Sequence, residues 1–302
     1  MTQPNKSAAL LGVVFALLAA VGFSAKAILV KLAYVEHVDA VTLLALRMFF
    51  AAPFFVAVII WLKQKQRTAL TPHERMWVVG LGLIGYYLSS YLDFLGLQFI
   101  SAGLERLILF LYPTLTVILS AVLYRRAIGR VVIAAMVLSY IGIALVFLHD
   151  IGVQEGSVIL GAALVFASTL SYSIYLVGAG HVIARIGAMR FTAYASLVAS
   201  AACVLQFVVM RPMSALDLPL RVYELSIAMA IFSTVLPVFL LSFAIKHIGS
   251  GSTSLIGSVG PISTIYMAYL FLGESVSWLQ MAGSVLVLAG VILISLHSKR
   301  EG

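Results

Sequence analysis

Long apolar runs separated by short polar stretches dominate this chain. An α-helix rises about 1.5 Å per residue, so about 20 apolar residues cross the roughly 30 Å hydrocarbon core of a bilayer. Runs of that length, bounded by Gly, Pro and charged residues, predict membrane-spanning helices over residues 8–31, 40–62, 75–97, 101–123, 130–149, 156–179, 189–210, 223–246, 250–272 and 277–297. The predicted fold class is an all-α integral membrane protein with ten transmembrane helices.

The first apolar run allows a second interpretation. Lys6 precedes it and the small residues Ala25 and Ala27 follow it, as in a signal peptide with its cleavage site. We interpret the run as a retained helix, because the internal repeat described below needs it as the first helix of the first copy.

Charge agrees with a membrane protein and predicts its orientation. Of the residues, 63% are hydrophobic and 10% charged, which is too apolar for a soluble domain of 302 residues. The formal net charge of +8 comes from Lys and Arg in alternate loops, as the positive-inside rule requires, so no nucleic-acid partner is expected. We predict a multi-pass protein of the inner (plasma) membrane with both termini cytoplasmic. That orientation puts these basic residues inside: Lys6, Lys63, Lys65, Arg67, Arg75, Arg125, Arg126, Arg130, Arg185, Arg190, Lys246, Lys299 and Arg300.

Five charged residues fall within predicted spans, all in the outer half of the membrane: Lys26, Arg47, Asp93, Glu105 and Arg106. A charge at the bilayer centre costs about 2.5–3.5 kcal/mol, so each needs a partner, a polar cavity or contact with the headgroups. Two interpretations remain open, a cavity-lining cluster and an interfacial set whose side chains snorkel to the surface. Glu105 with Lys26 and Asp93 with Arg47 are possible pairs. A cavity-lining cluster would offer groups for both ends of a zwitterion.

An internal repeat appears at an offset of 148 residues. The segment Gly103–Pro113 then aligns with Gly251–Pro261, and helices four and five align without a gap. This predicts two five-helix units, 1–150 and 151–302. An odd number of helices per unit gives the second copy the inverted topology, and inverted repeats are typical of secondary transporters with a central substrate cavity.

Tyrosines and helix breakers are further candidates. Tyr87 and Tyr91 share a helix face and could form an aromatic wall, although ordinary packing explains them as well. Pro113 and Pro261 occupy equivalent positions in the repeats, and a proline within a span either allows the helix to flex or fixes a static kink. The candidate substrate-binding or cavity-lining residues are Lys26, Arg47, Tyr86, Tyr87, Tyr91, Asp93, Glu105, Arg106, Tyr112, Tyr172, Tyr175 and Ser254, and the candidate hinges are Pro113, Gly257, Gly260 and Pro261.

Residues 240–294 resemble the second repeat of the EamA family of the drug/metabolite transporter superfamily. The resemblance rests on the small-residue turn around Gly249–Ser254, on Pro261, on Leu272-Gly273-Glu274 and on the glycine-rich last helix. The first half carries a weaker version, with Ser101-Ala102-Gly103 and Tyr112-Pro113. The resemblance implies an inverted five-plus-five helix arrangement around a central cavity, with helices five and ten at the periphery. Glu105 and Arg106 depart from the family pattern, which commonly has small or apolar residues there.

Together these features predict a secondary transporter of small organic metabolites. We expect an exporter of amino acids, aromatic or other apolar ones favoured, that works by alternating access. The alternatives are a carrier of sugar-linked or lipid-linked metabolites or drugs and, from another class, a channel. We expect no enzymatic activity, catalytic residue, metal, cofactor or nucleotide-binding subunit, since the sequence contains neither a Walker motif nor histidines at metal-ligand spacing. The expected partners are a small-molecule substrate and the lipid bilayer.

Overall fold

The computed structural model describes residues 6–65, 70–125, 128–153 and 157–301, and these residues form helices and turns without any strand. The α-helices are α1 (Lys6–Val35), α2 (Ala40–Lys65), α3 (Pro72–Gly82), α4 (Ser89–Gly96), α5 (Ala102–Leu109), α6 (Tyr112–Tyr124), α7 (Arg130–Val153), α8 (Val158–Ile186), α9 (Ala188–Met210), α10 (Leu220–Ala230), α11 (Leu236–Gly257), α12 (Val259–Met267) and α13 (Trp278–Glu301). Three π-helical segments extend them, at Leu83–Leu88, Ile231–Val235 and Ala268–Leu272, and Met213–Leu216 forms a 3-10 turn.

Eight helical segments among the described residues are long and apolar enough to cross a membrane. Their bounds are Leu10–Val35, Ala40–Leu62, Pro72–Gly96, Ala102–Tyr124, Arg130–Gly152, Val158–Ile186, Ala188–Met210 and Leu220–Gly249. Two shorter apolar helices follow, Val259–Leu272 and Trp278–Leu293. The protein is therefore a multi-pass helical membrane protein, and the count of ten transmembrane helices stays a prediction. Large apolar side chains such as Ile159 and Val209 face outward, as expected of a surface solvated by lipid.

Several predicted spans are interrupted. The predicted span 101–123 breaks at Phe110 and Leu111, just before Pro113, which cannot donate the N–H that would continue the helix. An equivalent break lies at Ser258, before Pro261. The predicted boundary near residue 250 appears as a kink at Gly249, whose φ of 78° is left-handed.

The helix boundaries repeat at the offset found in the sequence. Helices α2, α3 and α7 begin at residues 40, 72 and 130, and α9, α10 and α13 begin at 188, 220 and 278, each 148 residues later. The first two π-helical segments begin at Leu83 and Ile231, which is again 148 residues apart. The matching positions indicate that the halves share one pattern of helices, breaks and widened turns.

Helices of the first half pack directly against helices of the second half. Helix α1 packs mainly against α11 and α12, α8 against α4 and α6, and α2 against α9. Helices α7 and α13 pack mainly against each other. Between these two, a Cβ atom on Gly142 or Gly283 would collide with the backbone of the other helix, so both positions require glycine.

Candidate functional site

Three of the charged side chains meet inside the helix bundle. Lys26 of α1 donates a hydrogen bond to Asp93 Oδ2 of α4, and its Nζ lies 2.9 Å from Glu105 Oε1 of α5. Glu105 is 0% exposed and Asp93 is 3% exposed. The structure therefore places this triad (Lys26, Asp93 and Glu105) among packed helices and away from the lipid-facing surface.

The triad has more acceptors than donors. Asp93 Oδ1 and both oxygens of Glu105 are buried without a hydrogen-bond donor. The short distance from Lys26 Nζ to Glu105 Oε1 is an ion contact without hydrogen-bond geometry. Buried polar atoms are normally paired, so these oxygens identify a position where a donor is missing.

A buried turn sets the position of Glu105. Ser101 caps α5 by accepting the N–H of Leu104 at 3.0 Å, and its hydroxyl donates to Asp150 Oδ2 of α7 at 2.6 Å. Glu274, in the turn after the last π-helical segment, accepts the N–H of Ala102 at 3.0 Å. Carboxylates at a helix N-terminus stabilise it, because they satisfy free N–H groups and face the positive end of the helix dipole.

Glu274 is a carboxyl group at this turn whose pKa is shifted by its surroundings. Burial raises the pKa of its carboxyl, while the N–H of Ala102 and the charge of Lys31 act in the opposite direction. The second half of the chain therefore contributes a partly desolvated carboxylate to the helix that carries Glu105 and Arg106.

Arg47 has a partner in the other half of the chain. Its Nε donates to Thr234 Oγ1 at 2.9 Å, in the second π-helical segment, and its guanidinium lies 5.4 Å from the ring centre of Phe94. Asp93 is hydrogen-bonded to Lys26, and the possible pair of Asp93 with Arg47 is not among the salt bridges of the described residues. The direct pairing of Lys26 with Glu105 is present.

Arg106 lies about 100° around the helix axis from its neighbour Glu105. A Cβ atom on Gly260 of α12 would come within 2.7 Å of Arg106 Nη2, so this glycine makes room for the guanidinium. Ser24 of α1 donates to the Gly260 carbonyl at 2.9 Å, which ties α1 to α12 at the same place. Arg106 Nε is buried without an acceptor, and no carboxylate in the described part of the chain lies within ion-pair distance of the guanidinium.

Four tyrosines form a group beside Arg106, here called the tyrosine group (Tyr86, Tyr112, Tyr172 and Tyr175). The ring centres of Tyr112 and Tyr172 are 5.7 Å apart, those of Tyr172 and Tyr175 are 5.4 Å apart, and those of Tyr175 and Tyr86 are 5.1 Å apart. The hydroxyl of Tyr175 donates to that of Tyr86 at 3.2 Å. Tyr112 and Tyr172 lie within electrostatic reach of Arg106. The arrangement combines apolar ring faces with one cation.

The remaining candidates lie elsewhere or play other parts. Tyr87 and Tyr91 stack on each other with ring centres 6.4 Å apart, and they pack with the core between α2 and α9. Pro113 and Pro261 follow the two helix breaks, and Gly257 ends α11. The side chain of Ser254 lies outside the described residues. Whether the prolines and glycines act as hinges stays a prediction.

Sequence reasoning missed the polar groups that hold the charged side chains. Thr234 and Ser24 look like ordinary small residues of apolar helices, and Asp150 and Glu274 lie just beyond the ends of predicted spans. For Thr234 the internal repeat offered one signal. At the offset of 148 residues, Thr234 corresponds to Tyr86, which was itself a candidate residue.

Comparison with known families accounts for both halves. The profile of the EamA-like transporter family matches residues 10–148 and again residues 159–296. The chain belongs to the EamA-like transporter family. The resemblance noted in the sequence is thereby confirmed over nearly the whole chain.

Individual relatives of this family member are named as transporters. The uncharacterized transporter YcbK of Bacillus subtilis is 29% identical over 277 residues, covering 90% of this chain and 88% of the relative. The uncharacterized transporter YyaM of the same organism is 25% identical, covering 81% of each chain. A stretch of 56 residues, 18% of this chain and 19% of the relative, is 34% identical to a probable terminal-alkyne amino-acid exporter of Streptantibioticus cattleyicolor.

The fold also has a counterpart among solved structures. A crystal structure matches with a TM-score of 0.64 and 19% identity, covering 98% of this chain and 99% of the other. At that identity the match shows a shared fold alone.

Proposed function

We propose that this EamA-like protein is a secondary transporter that exports amino acids, preferentially aromatic or other apolar ones, by alternating access. In the proposed arrangement, ten transmembrane helices form two inverted five-helix repeats, residues 1–150 and 151–302, around a central cavity in the inner membrane, with both termini cytoplasmic. Relatives named as transporters support the general function. The short match to an amino-acid exporter supports the substrate class. The common offset of the helix boundaries supports the two repeats.

The observation that carries the substrate class is Arg106 beside the tyrosine group. A guanidinium without a carboxylate partner is suited to bind the carboxylate of a ligand, because its N–H groups match the two carboxylate oxygens. The tyrosine rings offer apolar faces for an aromatic or aliphatic side chain. The acidic oxygens of Asp93 and Glu105 supply acceptors for the ammonium group of the same ligand.

Transport by purified protein in liposomes tests the proposal. Uptake of labelled phenylalanine into liposomes preloaded with unlabelled phenylalanine should saturate and be accelerated by internal substrate, whereas a channel shows neither behaviour. Replacing Arg106 by Gln removes the carboxylate donor. A hydrogen bond to a charged group contributes about 1.5–3 kcal/mol, so we expect the half-saturating concentration to rise roughly 10- to 150-fold.

Two controls make the test specific. Arg221→Gln removes an exposed arginine that pairs only loosely with Glu224 at 3.7 Å, and its transport should match that of the wild type. Phenylethylamine, which lacks the carboxylate, should inhibit the wild type and Arg106→Gln equally. Equal half-saturation in the wild type and Arg106→Gln would disprove the assigned role, and absence of exchange for every amino acid in a panel would disprove the substrate class.

A further inference from the structure

The triad is short of one proton donor. Lys26 is the ammonium group in contact with the two carboxyl groups, and three of the four carboxyl oxygens have no hydrogen-bond donor. The carboxyl groups of Asp93 and Glu105 also lie within hydrogen-bonding reach of each other. Two ionised carboxylates in contact only accept, so a proton on one of them would create the missing donor.

We propose that Asp93 and Glu105 share one exchangeable proton, and that this proton is exchanged for the ammonium group of the substrate during transport. The proposal that a proton binds here rests only on the geometry of the triad. The exchange with substrate deepens the proposed function and rests on it.

Charge balance supports one proton per triad. With both carboxyls ionised, the triad has a net charge of −1, and with one proton it is neutral. Like charges in contact resist joint ionisation, and burial adds a further cost for each uncompensated charge. Glu105 is fully buried, so water cannot replace the missing donor at its surface.

In the packed arrangement of this structure, burial favours a proton over a larger cation, and the substrate ammonium reaches the carboxyl pair in another conformation of the proposed transport cycle. Phe94, Leu104 and Leu107 are each 0% exposed and belong to the same helices as Asp93 and Glu105. No group of three or more His, Cys, Asp or Glu side chains able to hold a metal ion occurs among the described residues. A proton needs no added volume and only one acceptor pair.

Other charged groups surround the triad, and they make the proton releasable. The titratable and charged groups that face this region come from the helices packed against α4 and α5 and from α5 itself. They are Lys31 and Tyr34 of α1, Arg47 of α2, Arg106 of α5, Tyr112 of α6, Asp150 of α7 and Tyr172 of α8, with Glu274 at the N-terminus of α5. The arginines favour the ionised carboxyls without neutralising them, since Arg47 bonds to Thr234 and Arg106 lies against Gly260. Because the arginines favour the ionised carboxyls, a proton on the carboxyl pair can leave when another cation arrives.

At the carboxyl pair the exchange replaces one positive charge with another and keeps the hydrogen bonds, while the whole cycle moves one net charge because the amino acid is a neutral zwitterion. When the ammonium group of a substrate reaches the carboxyl pair, the shared proton departs, and one positive charge replaces another. The N–H groups of the ligand supply the donors that the proton had supplied. Proton and substrate therefore exclude each other, and an inward proton gradient drives the substrate outward in a one-to-one antiport.

Infrared spectroscopy of the purified protein tests proton binding without any substrate. The carbonyl band of a protonated carboxyl group should appear in the wild type and change its intensity as the pH is varied. It should be lost or shifted in Glu105→Gln and also in Asp93→Asn, because each removes one member of the pair. Glu224→Gln, an exposed carboxyl of α10, is the matched control and should leave the band unchanged. A wild-type spectrum without a titrating band that depends on these residues would overturn the proposal, whether or not the variants fold well.

Gradient-driven transport tests the coupling. With the membrane potential held at zero, one proton per substrate makes each unit of pH difference correspond to about a tenfold ratio of substrate concentrations. In wild-type liposomes the gradient should raise accumulation toward that ratio, and in Glu105→Gln the ratio with and without a gradient should fall to one, whatever the remaining rate.

The outcomes separate the two proposals. A titrating band in a protein that moves no amino acid supports the proton site and overturns the substrate class. Amino-acid exchange that ignores the pH gradient overturns the coupling and leaves the proposed function standing.

Discussion

The two halves of this transporter share the positions of their helices and differ in their charged residues. At the offset of 148 residues, Glu105 corresponds to Thr253 and Lys26 to Ile174. Glu105 contacts another helix, whereas the hydroxyl of Thr253 donates to Gly249 O in its own helix at 2.8 Å. The pattern of helix starts and π-helical segments is therefore common to both halves, while the charged triad belongs to the first half alone.

The second half nevertheless positions the charged residues of the first. Thr234 accepts from Arg47, Gly260 leaves room for Arg106, and Glu274 caps the helix on which Arg106 lies. Each of these residues lies at a widened turn, a helix break or the turn after the last π-helical segment. The comparison teaches that the charged side chains come from the first half and that several of their contacts come from the second.

Of the substitutions that test this difference between the halves, Lys26→Met should lower the free energy of unfolding most. It leaves Asp93 and Glu105 buried without their ammonium partner, and breaking a buried ion pair by removing one member costs roughly 3–5 kcal/mol. We expect the free energy of unfolding in detergent, measured by denaturant titration, to fall by that amount. The matched control is Ile174→Met at the equivalent position of the second half, where the side chain is 43% exposed and the change should stay within about 0.5 kcal/mol. Similar losses for the two variants would contradict the assignment of the charged interior to the first half.

Replacing Thr234 by Val should have an intermediate effect. It removes the acceptor of Arg47 Nε and leaves a buried charged donor unpaired, which costs about 1–3 kcal/mol. The same unfolding measurement reports this loss. Ser242→Ala is a suitable control, because that hydroxyl donates to Val238 O in its own helix. If the control loses as much as Thr234→Val, the contact between Thr234 and Arg47 does not hold the halves together.

Replacing Thr253 by Val should have the smallest effect. The hydroxyl of Thr253 bonds only within its own helix, and such bonds contribute little to helix stability. We expect unfolding to change by less than about 0.5 kcal/mol and the pH dependence of transport to match that of the wild type. A transport defect comparable to that of Glu105→Gln would show that the second copy also takes part in the chemistry.

The sequence predicted the positions of the helices better than the contacts of the candidate site. Hydropathy located the helices because lipid-length apolar runs are a strong signal, and the starts of α2 and α7 agree with it. The predicted first span stopped at Lys31, although α1 continues to Val35, because a charged residue ends an apolar run without ending a helix.

The contacts of the site were beyond the reach of the sequence. A membrane helix is apolar on its lipid face and on its packed face, so periodicity does not tell which way Glu105 or Arg106 points. The partners Lys26 and Asp93 are 67 residues apart, and only the packing of α1 against the α4–α5 turn decides that both acids share one lysine. The π-helical segments also carry no signal in composition, since the widened turn depends on what packs beside it.

The contact between α7 and α13 has a mechanical consequence. These helices are the last of each half, and Gly142 and Gly283 bring their backbones together so closely that neither helix can slide past the other without a collision. The last helix of each half is thus held in close contact with that of the other half. In the proposed alternating access, a relative movement of the halves therefore has to keep this glycine contact or separate the two helices.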